Sequence, residues 1–233
     1  TLSMVAAARL GKKENTFSPE LSGERFPDLL KAVAIYGPNA SGKSNLLRAL
    51  DVISTIANRT PTPHPDPLPV APFRFDKTLT DKPSAFEIHF IRAGLRYSYE
   101  LAATQTRIVL ERLVSFPRGK ESLIYERRFD GSNETYVFGP SLSAEATADV
   151  TDAWKKLTNP TTLFMAQAVA NSSSGMQVLR APFEWLSDSS LSLMRGMQGM
   201  ATAAQRLAQK GHGTEISAFL RELDVPITKV TVE

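Results

Sequence analysis

No cysteine occurs among the 233 residues, which excludes a disulfide framework and a thiolate metal site. Histidine is nearly as scarce. His64, His89 and His212 stand far apart, without metal-ligand spacing, and each is read as structural. No apolar run approaches the roughly 20 residues that a membrane-crossing helix needs. The first residues carry no secretory pattern. The expectation is a cytoplasmic protein with no membrane partner. Charge of one sign is also lacking: 27 Lys+Arg against 24 Asp+Glu leaves a net +3, which neither demands nor excludes nucleic acid. There is no Gly-x-Ser-x-Gly elbow, no nuclease-like cluster of acids, no Asn-Lys-x-Asp guanine-reading motif and no internal repeat.

What is present is an ordinary globular composition, 42% hydrophobic and 22% charged, in a chain long enough to bury a sizeable core. Both ends read as cut through structure. The chain opens on Thr1 inside the apolar "TLSMVAAARL" and closes in "DVPITKVTVE", which alternates like a strand. The expectation is the N-terminal part of a longer protein.

"KAVAIYGPNASGKSNLLRAL", Lys31 to Leu50, carries the strongest chemical signal. Gly37, Pro38, Asn39, Ala40, Ser41, Gly42, Lys43 and Ser44 fit GxxxxGK[ST]. "KAVAIY" reads as a buried central strand. Leu46, Leu47, Leu50, Ile53 and Ile56 recur at helical spacing directly after the loop. Glycines let successive backbone N–H groups turn inward, and a helix N-terminus adds oriented amides and a favourable dipole. Lys43 is read as the catalytic cation reaching the β- and γ-phosphates. The Ser44 hydroxyl is read as a ligand of Mg²⁺, a metal that prefers oxygen. Gly37 to Ser44, with Asn45, form the candidate binding set for ATP and Mg²⁺.

The rest of the chain divides by pattern. Residues 1–60 read as the strand, loop and helix part of a nucleotide-binding core. Residues 61–83 are a loop, because Pro61, Pro63, Pro65, Pro67, Pro69 and Pro72 forbid helix or central strand. It reads as a linker rather than a mobile loop near the nucleotide. Residues 84–140 alternate with period two and are punctuated by Ala93-Gly94, Arg118-Gly119 and Asp130-Gly131, which predicts an antiparallel β-subdomain. Residues 141–224 read as a helical subdomain. Its candidate helices are "LSAEATADVTDAWKKL", "TTLFMAQAVA", "MQVLRAPFEWLSD", "SLSLMRGMQGMATAAQRLAQK" and "TEISAFLREL". Residues 225–233 begin a further strand. Met194, Met197 and Met200 share a helical face and read as packing. Arg118, Lys120, Arg127 and Arg128 read as solvated strand ends, with DNA or RNA contact left open.

"GPNASGKSN" resembles the loop of ABC-class ATPases, and within them the SMC-like, RecF-like and OLD-like ATPases. The nearest resemblance is to bacterial abortive-infection and OLD-related AAA-family defence ATPases. It is carried by "TLSMVA", the loop itself, "PFRFD", "PSAFEIHFIRAGLRYSYEL", "ERL", "TTLFMAQAVAN" and "EWLSD". It implies an α/β fold, a P-loop NTPase core of ABC-ATPase type with an antiparallel β-subdomain and a helical subdomain. It also implies ATP-driven dimerisation, or a higher oligomer, through the nucleotide site, control of an effector such as a nuclease, and antiphage defence. An SMC- or RecF-like DNA-repair ATPase is the alternative, as is a nucleotide-gated module that does not hydrolyse.

Such ATPases also carry an apolar strand ending in Asp-Glu, a signature loop and a switch histidine. No apolar run here ends in Asp-Glu. "LSGER", Leu21 to Arg25, looks like a signature but precedes the loop and is read as coincidence. A glutamine-loop residue has no clear place: Gln105, at a turn, and Gln167, on a helix, are each weak candidates. The missing motifs are expected beyond Glu233, so the segment alone is expected to hydrolyse poorly.

Overall fold

A computed structural model describes residues 1–7, 13–38, 41–62, 64–73, 76, 78–80, 82–172 and 175–188. The two helices expected between 190 and 223, the terminal strand at 225–233, His212 and the three methionines lie outside the described residues, as do Asn39 and Ala40.

The first elements are short. Strand β1 (Thr16–Phe17) pairs antiparallel with β2 (Leu29–Leu30), and Val5 adds a single bridge to Leu29. Met4 O accepts from Leu30 N at 2.7 Å, and Ala6 N donates to Asp28 O at 2.8 Å. "TLSMVA" therefore contributes one bridge rather than a full strand. Residues 31–36 correct the expectation of a buried central strand. They hold no strand pairing, Val33 and Ile35 are exposed, and Tyr36 is 90% exposed. A buried central strand requires partners on its edges and cover on its faces, and the described residues provide neither.

Helix α1 (Lys43–Ala57) follows the loop. The proline-rich stretch after it is anchored. Leu68 and Val70 are buried, Leu68 N donates to Gln105 O at 2.7 Å, and Gln105 Nε2 donates to Val70 O at 3.4 Å. Arg59 holds the other side through the carbonyls of Asp66 and Pro67. Extended proline backbone leaves carbonyls free to accept, and Gln105 and Arg59 supply donors. The stretch is a docked strap, which corrects its reading as a linker.

Five antiparallel strands run in sequence order: β3 (Ser84–Arg92), β4 (Leu95–Ala103), β5 (Ile108–Ser115), β6 (Ser122–Phe129) and β7 (Glu134–Phe138). The β3–β4 turn places Ala93 and Gly94 at φ 52 and 72, the doubly left-handed turn that suits strand twist. Period two puts Tyr99, Leu113, Tyr125 and Phe138 in one cross-strand row, and Leu101, Glu111, Arg127 and Tyr136 in the next.

Among the described residues four helices follow: α2 (Pro140–Glu145), α3 (Ala148–Leu157), α4 (Phe164–Ala170) and α5 (Gln177–Ser187). The single helix expected over 142–157 is split at Ala146-Thr147. Leu142 and Trp154 both enter one core. In an unbroken helix, twelve residues would rotate them about 120° apart. Phe164 centres that core, 5.0 Å from Tyr125, 5.4 Å from Tyr136 and 5.5 Å from Phe138 between ring centroids.

Two charged side chains in this core overturn a sequence expectation. Arg127 is 1% exposed, not solvated, and Glu111 beside it is 0% exposed. Glu111 accepts from Tyr125 Oη at 2.7 Å and from the first α4 amides, Phe164 N at 2.8 Å and Met165 N at 3.2 Å. Arg127 donates to Thr162 O, Asn159 O and Glu134, and faces Glu111 at 3.7 Å. Such hydrogen bonds offset much of the cost of burying the pair, and of the buried polar atoms of the two side chains Arg127 Nε alone is left without one. The words "ERL" and "TTLFMAQ" thus meet at one clamp between sheet and helices. Among the described residues no helix is long and apolar enough to cross a membrane.

Candidate phosphate-binding site

The loop hangs from a short tether. Lys31 N donates to Asn15 O at 2.9 Å, and the Asn15 side chain exchanges two hydrogen bonds with the Ala32 backbone, at 3.0 and 3.1 Å. From Val33 the chain runs exposed, outside any helix or strand, into Gly37.

A Cβ at Gly37 would lie 2.9 Å from Ser41 Oγ, so the Ser41 hydroxyl would have to rotate aside to admit one. Ser41 N reaches back to Pro38 O at 3.3 Å, which turns the loop. Gly42 takes φ 92 in the left-handed region and forms the N-cap of α1. Its carbonyl accepts from Asn45 N at 3.0 Å and Leu46 N at 3.2 Å, so the helix begins at once.

Lys43 folds back over the loop. Its Nζ donates to Gly37 O at 2.7 Å and Pro38 O at 2.8 Å. The first turn of α1 contains no acid, so its positive dipole end is left without a carboxylate from its own turn. A fixed ammonium, first-turn amides and a glycine-rich bend form a donor set matched to a polyanion. Ser44 and Asn45 are exposed at the same end, and Asn45 Oδ1 accepts from Arg48 at 3.5 Å. Ser44 provides a neutral, hard oxygen, which suits Mg²⁺ once phosphate oxygens and water complete its shell.

The other candidates fall elsewhere. Gln105 binds the proline strap. Gln167 is buried and accepts from Asn171 Nδ2 through Oε1 at 3.1 Å. Both are engaged in structural contacts. Leu21–Arg25 docks on the end of the sheet. Ser22 N donates to Gly94 O, and Glu24 pairs with Arg96 at 2.9 Å, whose guanidinium lies 3.8 Å from the Phe116 ring centroid. His89 pairs with its strand neighbour Glu87 at 2.8 Å, and His64 is exposed. Arg118 and Lys120 are exposed around a 3-10 turn. Among the described residues no group of three His, Cys, Asp or Glu side chains could hold a metal.

Sequence reasoning missed Ser54 and Asn58, which join the far end of α1 to α5. An asparagine just past a helical pattern is a C-cap signal that could have found the second.

Residues 32–160 match the family described as "AAA domain, putative AbiEii toxin, Type IV TA system". No curated protein and no solved structure matches the chain. The matched span covers the loop, α1, the strap, the five-stranded sheet, α2 and α3, more than half of the 233 residues. The chain belongs to this AAA-domain family of P-loop ATPases.

Proposed function

We propose that the loop from Gly37 to Ser44 binds ATP with Mg²⁺, and that the protein is an ATPase whose nucleotide state controls an effector. The observation that carries this is Lys43 Nζ, held over the α1 N-terminus by two carbonyls at 2.7 and 2.8 Å, with no acid in the adjoining turn. Gly42 lets backbone amides face the phosphates, and Lys43 neutralises the charge that builds on the transferring group. Ser44 and Asn45 stand where a metal–phosphate complex meets the helix, and Mg²⁺ there would screen the phosphate oxygens. Asn39 and Ala40 complete the binding set.

Water activation needs a carboxylate or a comparable group near the γ-phosphate. Lys43 is engaged by carbonyls, and no apolar strand of the sequence ends in Asp-Glu. ABC- and OLD-like ATPases close such a site by pairing two protomers, and we extend that reading here: two copies sandwich nucleotide, and hydrolysis releases them. The family description names a putative toxin of a type IV toxin–antitoxin system, which accords with a defence output; a nuclease as the effector class rests on the resemblance to OLD-like ATPases alone. The second reading is a nucleotide-gated binding module that does not hydrolyse.

Phosphate release from ATP separates the two readings. Turnover by the wild-type protein that is lost in Lys43→Ala supports the ATPase. Tight ATP binding without release supports the gated module. Release that Lys43→Ala leaves intact contradicts the loop's role.

A further inference from the structure

Helix α1 changes character along its length. Ser44, Asn45, Leu47 and Arg48, beside the loop, are exposed, whereas Ile53, Ser54, Ile56 and Ala57 are buried. Among the described elements its main packing partner is α5, and the two helices meet at their C-terminal ends. Ser54 Oγ donates to Asp188 O at 3.3 Å. Asn58 Nδ2 donates to Ser187 O at 2.8 Å and to Ser54 O at 2.9 Å. Helix C-termini leave carbonyls unsatisfied and carry partial negative charge. Two such ends repel unless a donor stands between them. The Asn58 amide is that donor, and it serves one carbonyl from each helix.

α5 is in turn fastened to the sheet. Trp185 stacks on Phe90 of β3 with centroids 4.1 Å apart and planes 6° apart, and Phe90 stacks on Tyr97 of β4 at 5.3 Å. Glu184 pairs with Arg92 at 3.5 Å. Pro182 lies inside α5 and removes one backbone donor just before the turn that bears Trp185. A continuous series of contacts therefore runs from Lys43, along a helix about 22 Å long, through Asn58 and the end of α5, to the β3 edge of the sheet.

We propose that α5 is a relay. The Ser54–Asn58 junction couples occupancy of the phosphate loop to the stability of α5 and β3. This rests on the nucleotide-binding reading above. Phosphate binding orders the first turn of α1. A helix transmits that ordering along its length, and the shared junction passes it to α5. Such coupling needs no large displacement, because a loss of local freedom at one site lowers the cost of order at the next.

Hydrogen exchange read by mass spectrometry on the full chain tests this, with and without a non-hydrolysable ATP analogue and Mg²⁺. In the wild type, exchange should slow over Gly37–Ala57 and also in α5 and β3, in α5 by at least about fivefold. In Ser54→Ala/Asn58→Ala the loop should still slow while the response of α5 and β3 disappears. Asn58→Ala alone, at an exposed position, should show the same loss if the double variant fails to fold. A merely structural junction would raise α5 exchange equally in both states and keep the nucleotide-dependent difference, which would overturn the relay. Slowing confined to residues 37–57 in the wild type would overturn it as well, with nucleotide binding intact. No slowing anywhere would contradict both the relay and the nucleotide reading.

Discussion

Gly42 does two jobs that no other residue type does as well. It turns the loop at φ 92, and it opens α1 with its carbonyl already bonded. A Cβ at Gly42 would meet nothing within 4 Å, so the cost of Gly42→Ala is backbone strain alone. Urea unfolding should show a loss of about 1 to 2 kcal/mol; an unchanged midpoint would contradict the strained geometry. Ser44→Ala should raise the Mg²⁺ concentration needed for half-maximal ATP binding by roughly tenfold while leaving Mg²⁺-free nucleotide contact nearly unchanged. An unaltered Mg²⁺ titration would remove Ser44 from the metal's shell. The loop residues were legible because eight positions match a pattern with its own physical logic. Arg127 was not, although a trace was present. Tyr125, Arg127 and Phe129 share one face of their strand, so period two alone turns Arg127 inward with the two aromatics. Its partners explain how it can be there: Glu111 and Glu134 on the neighbouring strands and the carbonyls of Asn159 and Thr162, which lie far from it in sequence.

At the scale of elements, burial decides. Leu68 in the strap is 2% exposed, so Leu68→Ala should cost about 2 to 5 kcal/mol. A loss of only about a few tenths of a kcal/mol, as at an unpacked surface position, would return the segment to a loose linker. The Glu111–Arg127 clamp makes a sharper prediction. Arg127→Met leaves a buried carboxylate without its cation and should cost about 3 to 5 kcal/mol. Glu111→Leu/Arg127→Met should recover much of that loss. Equal destabilisation of the single and double variants in thermal melts would show that the hydrogen bonds to α4, not the charge pair, hold the layers together. The β-meander was readable because alternation and glycine turns are local. The split between α2 and α3 was not, since it arises from the demand that Leu142 and Trp154 reach one core. Residues 31–36 misled for a related reason: an apolar run states a preference for burial, and only neighbours can satisfy it.

For the whole molecule, stability should depend on acid in a predictable sense. Burial pushes the Glu134 carboxyl up, but the hydrogen bond and charge of Arg127, with Tyr136 and Arg107, outweigh it and hold it below its ordinary 4.5. The folded state therefore favours the ionised form. That contribution is complete above pH 4.5 and is lost as pH falls through the lower folded value. Glu111 acts in the opposite sense, because burial raises it despite Arg127. Comparison with Glu134→Gln isolates the first effect. The variant should be less stable at neutral pH, and the gap should narrow below pH 4.5. A gap independent of pH would assign the loss to packing.

The central claim is that the loop from Gly37 to Ser44 holds ATP. The most direct measurement is a calorimetric titration of Mg²⁺–ATP into the wild-type chain and into Lys43→Ala. The account predicts saturable binding by the wild type and a loss of at least about tenfold in the variant, the scale of charge-assisted hydrogen bonds to phosphate. Equal affinity in the two proteins, or no binding by either, would contradict it.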